Sequence, residues 1–91
     1  MPYALVFTDD YTRRALRFLK RHPELKSQYA KTLALLEINL HHPSLRLHAL
    51  SGRLTGVHSV SINLSYRITL ELLIQDQQII PLNVGNHDAV Y

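Results

Sequence analysis

LHALSGRLTGVHSVSINLSYRITLEL, residues 47–72, is the stretch that decides how this chain folds. It opens as a loop, with Ser51-Gly52 and Gly56 as its turn residues. From Val57 the chain alternates: Val60, Ile62 and Leu64 fall on one side, Ser59, Ser61 and Asn63 on the other. After a tight turn, Tyr66, Ile68, Leu70 and Leu72 oppose Arg67, Thr69 and Glu71 in the same rhythm. Successive side chains of a strand point to opposite faces, so this period of two predicts an antiparallel hairpin with one buried face. Arg67 stands on the polar face, a permanent charge in the middle of a strand.

Downstream, Gln75-Asp76-Gln77 is a polar turn, and Gln78 to Val84 reads as a third strand with Ile80, Leu82 and Val84 inward and Gly85 as its stop. The tail HDAVY follows. Upstream, Tyr3 to Phe7 is a short apolar run of strand length. Thr8, Asp9 and Asp10 then supply a helix cap and first-turn negative charge. Tyr11, Ala15, Phe18 and Leu19 recur at helical spacing to Arg21, while Arg13, Arg14, Arg17, Lys20 and Arg21 fill the remainder. Pro23 suits a first helical turn, and a second helix to about Leu40 carries Leu25, Tyr29, Leu33, Leu36 and Leu40 on one stripe. His41, His42 and Pro43 end it. The predicted order is strand, helix, helix, strand, strand, strand, tail. This is an α+β fold in which one small sheet covers a helical hairpin, and its uncovered face carries Ser61, Arg67, Thr69 and Glu71.

Ninety-one residues, 46% of them apolar, predict one domain spanning residues 1–91 with a packed core. The chain has no cysteine, which excludes disulfides, thiolate catalysis and zinc–thiolate sites. MPYALVFTDD lacks the pattern of a signal peptide, and no apolar run approaches the ~18 residues of a membrane span, so a cytoplasmic protein without a membrane partner is expected. A net charge of +3 and a pI near 9.5 suit a polyanionic or acidic protein partner.

HALSGRLTGVHSVSI, the arginine of SYRITLEL and the ending GNHDAVY, taken together and in order, resemble the RelE/ParE superfamily of toxin–antitoxin toxins, in particular its YafQ-like and RelE-like mRNA interferases. The resemblance covers nearly the whole chain. It implies a compact α+β toxin domain neutralised by a cognate antitoxin protein, and, for the RelE-like branch, cleavage of mRNA on the ribosome with no metal or other cofactor. On the matching positions, Arg67 is the strand arginine aimed at the scissile phosphate, and His87 the tail histidine that moves a proton. Tyr91 is the aromatic closing the chain, and His48 the histidine ahead of the glycine loop. Ser61 and Ser65 depart, standing where YafQ-like toxins carry a histidine and an aspartate.

Cleaving RNA without a metal requires deprotonation of a 2′-hydroxyl, stabilisation of the phosphorane and a proton for the leaving 5′-oxygen. Histidine suits the proton steps and arginine the charge. Tyr91 suits stacking on a base, and Arg46, Arg53 and the helix basics Arg13, Arg14, Arg17, Lys20 and Arg21 suit rRNA phosphates. Each also has a plainer reading. Arg67 could pair with Glu71 on its own face, His87 and His48 could be solvated, Tyr91 could be a packing anchor, and the basic helix face could simply be hydrated. His58 shares parity with Val60 and reads as partly buried structure, and His41-His42 as a pair at a helix end rather than a metal site. A ParE-like gyrase inhibitor, or a toxin relative that only binds its antitoxin, is the alternative function.

Overall fold

Thr8 starts the first helix. In the computed structural model, which describes residues 3–50 and 56–86, its Oγ1 accepts from the Tyr11 backbone N at 3.1 Å. That bond caps α1 (Asp9–Arg21), which has Asp9 and Asp10 in its first turn and Lys20 and Arg21 in its last, both favourable to the helix dipole. Tyr11, Ala15 and Phe18 are its buried face. Pro23 begins a short 3₁₀ turn, Pro23–Leu25, that leads into α2 (Lys26–Ile38). Leu25, Tyr29, Leu36 and Leu40 are buried along the expected stripe, with Leu33 partly so.

The second helix stops earlier than expected. Asn39 leaves helical geometry at φ −151°, and its Oδ1 accepts from His41 N at 3.2 Å. His41 and His42 are therefore not a helix-end pair. His42 instead caps the following 3₁₀ turn, Pro43–Leu45, its Nδ1 accepting from Ser44 N at 3.2 Å.

The five strands are β1 (Ala4–Leu5), β2 (His48–Ala49), β3 (Val57–Ser61), β4 (Tyr66–Leu73) and β5 (Gln78–Asn86). They lie in the order β1-β5-β4-β3-β2, with β1 parallel to β5 and the other pairs antiparallel. Proline explains why β1 is so short. Ala4 N and Val6 N donate to Gln77 O and Ile79 O, both at 2.9 Å, and the next rung would need an amide N–H at Pro81, which has none.

The third strand departs from its sequence reading in a way that matters. Ile79, Pro81 and Val84 are buried, whereas Leu82 is 37% exposed. A bulge at Thr69/Leu70 is the cause: Thr69 faces Asn83 but Leu70 faces Pro81, so Leu82 is an extra residue. One extra residue flips strand parity, which lets Ile79 and Pro81 before it and Val84 after it all face the helices. Nor does Gly85 end the strand, which runs to Asn86 with Gly85 opposite Arg67.

Both helices and one face of the sheet share a core in which Leu36, Leu45, Val60, Ile68, Leu70 and Ile79 have 1% exposure or less. Burying each such side chain contributes about 1.5–3 kcal/mol. Tyr11 and Tyr29 join the helices through their hydroxyls at 2.8 Å, and burial pushes both phenols upward. On the opposite face Ser59, Ser61 and Thr69 are buried rather than solvated. Their small polar groups are satisfied locally, Ser61 Oγ donating to Asn63 O at 2.6 Å. Among the described residues no helix is long and apolar enough to cross a membrane.

Candidate functional site

The strand register assembles the site. His48 pairs with Ser59, Ser59 with Thr69, Ser61 with Arg67 and Arg67 with Gly85, so these positions form neighbouring rungs on one face of the sheet. Gly85 adds no side chain beside the guanidinium. Arg67 leans diagonally towards β3, and its Nε donates to the buried Ser59 Oγ at 2.6 Å. That is a short, charge-assisted bond, and it fixes one edge of the guanidinium plane. Arg67 Nη2 lies 3.3 Å from Arg46 O and 3.3 Å from His48 Nδ1. Among the described residues Arg67 forms no ion pair with Glu71; its partners are Ser59, Arg46 and His48.

Arg46 contributes its backbone. It sits in the left-handed region at φ 49° and ψ 47°, following the Pro43–Leu45 turn whose Leu45 is anchored in the core. A non-glycine residue held there costs about 1–2 kcal/mol, and the turn sets its carbonyl against both Arg67 and His48.

His48 thus has two neutral states with different chemistry. With the proton on Nδ1, the ring donates to Arg46 O at 3.2 Å and Nε2 keeps its lone pair, the form of a general base. With the proton on Nε2, Nδ1 accepts from Arg67 Nη2 at 3.3 Å and the ring presents a donor. A histidine oriented by a carbonyl next to a fixed guanidinium can move a proton beside a stabilised negative charge.

Of the residues singled out in the sequence, the structure brings Arg46, His48 and Arg67 together. Arg53, His87 and Tyr91 lie outside the described residues. Arg13 and Arg14 are tied to Asp10 of the first turn at 3.4 and 3.2 Å; such exposed pairs hold weakly. Arg14, Arg17 and Arg21 point along one side of α1 and line a cleft against β5, while Lys20 is exposed elsewhere. Ser61 and Ser65 belong to the hairpin turn, where Ser65 N donates to Asn63 Oδ1 at 2.8 Å. His58 is partly buried on the core face, as its parity predicted. Among the described residues no group of three or more histidines, aspartates or glutamates is placed to hold a metal. Sequence reasoning missed Ser59 and the Arg46 carbonyl; the shared parity of Ser59 and Arg67 across a hairpin was the available signal for the first.

No family model matches the sequence, and no curated protein sequence matches it either. Solved structures do. YafQ from E. coli superposes with a TM-score of 0.80 at 16% identity, covering 98% of each chain. The fold is that of the RelE/YafQ toxins. A chain of the E. coli DinJ–YafQ toxin–antitoxin complex gives 0.77 at 17% identity, over 100% of this chain and 99% of that one. The YoeB/ParE toxin from Agrobacterium tumefaciens gives 0.72 at 15%, over 92% and 98%. The α+β architecture expected from the sequence matches these toxin structures over 98–99% of their chains.

Proposed function

We propose that the chain is the toxin of a type II toxin–antitoxin pair and that it cleaves mRNA on the ribosome without a metal. The observation that carries this reading is the Arg67 cluster: a guanidinium held by buried Ser59 at 2.6 Å, with His48 at 3.3 Å. The toxin fold at 98% mutual coverage of YafQ supports it. His48, with Nδ1–H on Arg46 O, takes the 2′-hydroxyl proton at Nε2. The 2′-oxygen attacks phosphorus, and Arg67 carries the charge that builds on the phosphoryl oxygens. The P–O5′ bond breaks, and His87 returns a proton to the leaving 5′-oxygen. The products are a 2′,3′-cyclic phosphate and a 5′-hydroxyl. Tyr91 holds the base, and Arg46, Arg53 and the α1 basics meet rRNA phosphates. A cognate antitoxin restrains the toxin by covering the Arg67 face.

One observation favours a second reading. Ser61 and Ser65 are both engaged in holding the hairpin turn, leaving fewer acid–base groups than a YafQ-like toxin carries. A protein that inhibits gyrase as ParE-like toxins do, or that only binds its antitoxin, would need no more. Induction of the chain in a bacterial host separates the readings. Cleavage predicts that amino-acid incorporation stops within minutes while DNA synthesis continues, and that Arg67→Ala restores growth. Filamentation with ongoing protein synthesis would refute it.

A further inference from the structure

On the other side of the sheet from Arg67, a cleft of about 300 Å³ opens between α1 and the end of β5. Arg14, Arg17 and Arg21 form one wall, and Tyr66, His22 and the β5 residues 83–86 complete it. Spacings of three and four residues place the arginines on one helix face, spanning about 10 Å along the axis. Among the described residues, the lining contains no carboxylate. Asp10 ties Arg14 at 3.2 Å from outside the lining and Glu24 lies 3.5 Å from His22, whereas Arg17 and Arg21 form no ion pair among the described residues, so these two are the cations open to an anionic ligand.

The floor is aromatic. Phe18, His22 and Tyr66 form a closed trio with ring centroids 4.9, 5.4 and 5.0 Å apart, and the Phe18–Tyr66 contact is edge-on. Phe18 is buried, while His22 and Tyr66 keep partial exposure at the cleft. Asn83 also borders it, its Oδ1 accepting from Val84 N at 2.9 Å. Guanidinium groups beside π-faces match a nucleotide of an unpaired strand better than an acidic peptide, which has no use for the rings.

We infer that this cleft is a nucleotide subsite, taking phosphodiesters on Arg17 and Arg21 and stacking the attached base on Tyr66 and His22. The inference rests on the reading of the chain as an RNA-binding toxin and extends it to a second, non-catalytic contact. Tyr66 pairs with Asn86 and its neighbour Arg67 with Gly85, so the cleft and the Arg67 face are the two sides of one sheet end. A strand passing around that end meets both.

The test is binding of a fluorescein-labelled, fully 2′-O-methylated RNA hexamer, which no 2′-hydroxyl attack can cut. Arg17→Gln/Arg21→Gln is expected to weaken binding at least tenfold and to lower the slope of log affinity against log salt by about 1.4, two single-strand phosphate contacts. Tyr66→Leu, which keeps apolar packing and removes the ring, is expected to weaken it three- to tenfold. Lys26→Gln/Lys31→Gln removes the same charge from exposed positions on α2 and is expected to change it less than threefold. Equal losses in the two double variants, or no loss in Tyr66→Leu, would overturn the subsite. So would a hexaglutamate peptide that displaces the RNA at equal concentration. Arg67→Ala keeps the cleft-dependent share of binding, so a failed cleavage mechanism and a failed subsite give different results.

Discussion

Ser59→Ala is the substitution that probes the Arg67 site without touching His48, Arg67 or His87 themselves. Its hydroxyl is buried and accepts from Arg67 Nε at 2.6 Å, and the alanine fits the same space. Hydrogen bonds to charged groups are worth about 1.5–3 kcal/mol, and partial exposure of Arg67 lets water recover some of that. A net loss of about 1–2 kcal/mol remains, felt as looser placement of the guanidinium. If Arg67 acts on charge that develops only in the transition state, the loss falls on turnover: kcat drops roughly 5- to 30-fold while KM moves less than about threefold. Ser59→Thr, which retains the hydroxyl, recovers most of the rate. The assay is single-turnover cleavage of mRNA by translating ribosomes, with melting curves to confirm folding; a loss of 1 kcal/mol would lower Tm by about 4–8 °C in a domain of this size. An unchanged kcat in Ser59→Ala, or a rise in KM alone, would refute Arg67 as the transition-state charge group.

Arg46→Gly keeps the left-handed turn at φ 49° and removes the guanidinium; the expected result is a gain of up to about 1 kcal/mol in stability and weaker ribosome affinity, with kcat retained, by denaturant titration and kinetics. Leu36→Ala, at a position with 0% exposure, is expected to cost about 2–5 kcal/mol, measured as a lower urea midpoint at constant m-value. Tyr11 and Tyr29 have phenols raised above the ordinary 10.0 by burial, so the folded state holds protons that the unfolded chain releases. The stability they contribute is then fully present below pH ~10 and falls as pH rises above it, and phenolate absorbance from these two tyrosines should appear at higher pH in the folded protein than in the urea-unfolded chain.

Local signals were the legible part of this fold. Thr8 with Asp9 and Asp10 marked the start of α1, and the residues read as its apolar stripe are the ones that pack. The hairpin's period of two placed Arg67 on the face opposite the core. What stayed hidden was non-local. Nothing in Gln78 to Val84 announces that Leu82 is an extra residue, because the bulge is defined by its pairing with Thr69 and Leu70 on another strand. Asn39 ending α2 through its own side chain was legible in principle, since asparagine competes with helix backbone, but Leu40, in step with Leu36, masked the stop. At the site, the charge of Arg67 could be read directly, whereas its anchor Ser59 and the carbonyl of Arg46 depend on register and on a left-handed turn. The cleft on α1 was half visible: the basic helix residues could be counted, but which of them face Tyr66 follows only from packing.

The central claim is that the Arg67 face cuts mRNA by attack of the 2′-hydroxyl. The most direct measurement maps new 5′ ends on a reporter mRNA with purified protein and translating ribosomes, and identifies the chemistry of both ends. The account predicts cuts at a fixed position within codons, with 2′,3′-cyclic phosphate and 5′-hydroxyl termini, lost in Arg67→Ala and at least 100-fold reduced in His48→Ala. An intact message at saturating protein, or 5′-phosphate ends, would contradict it.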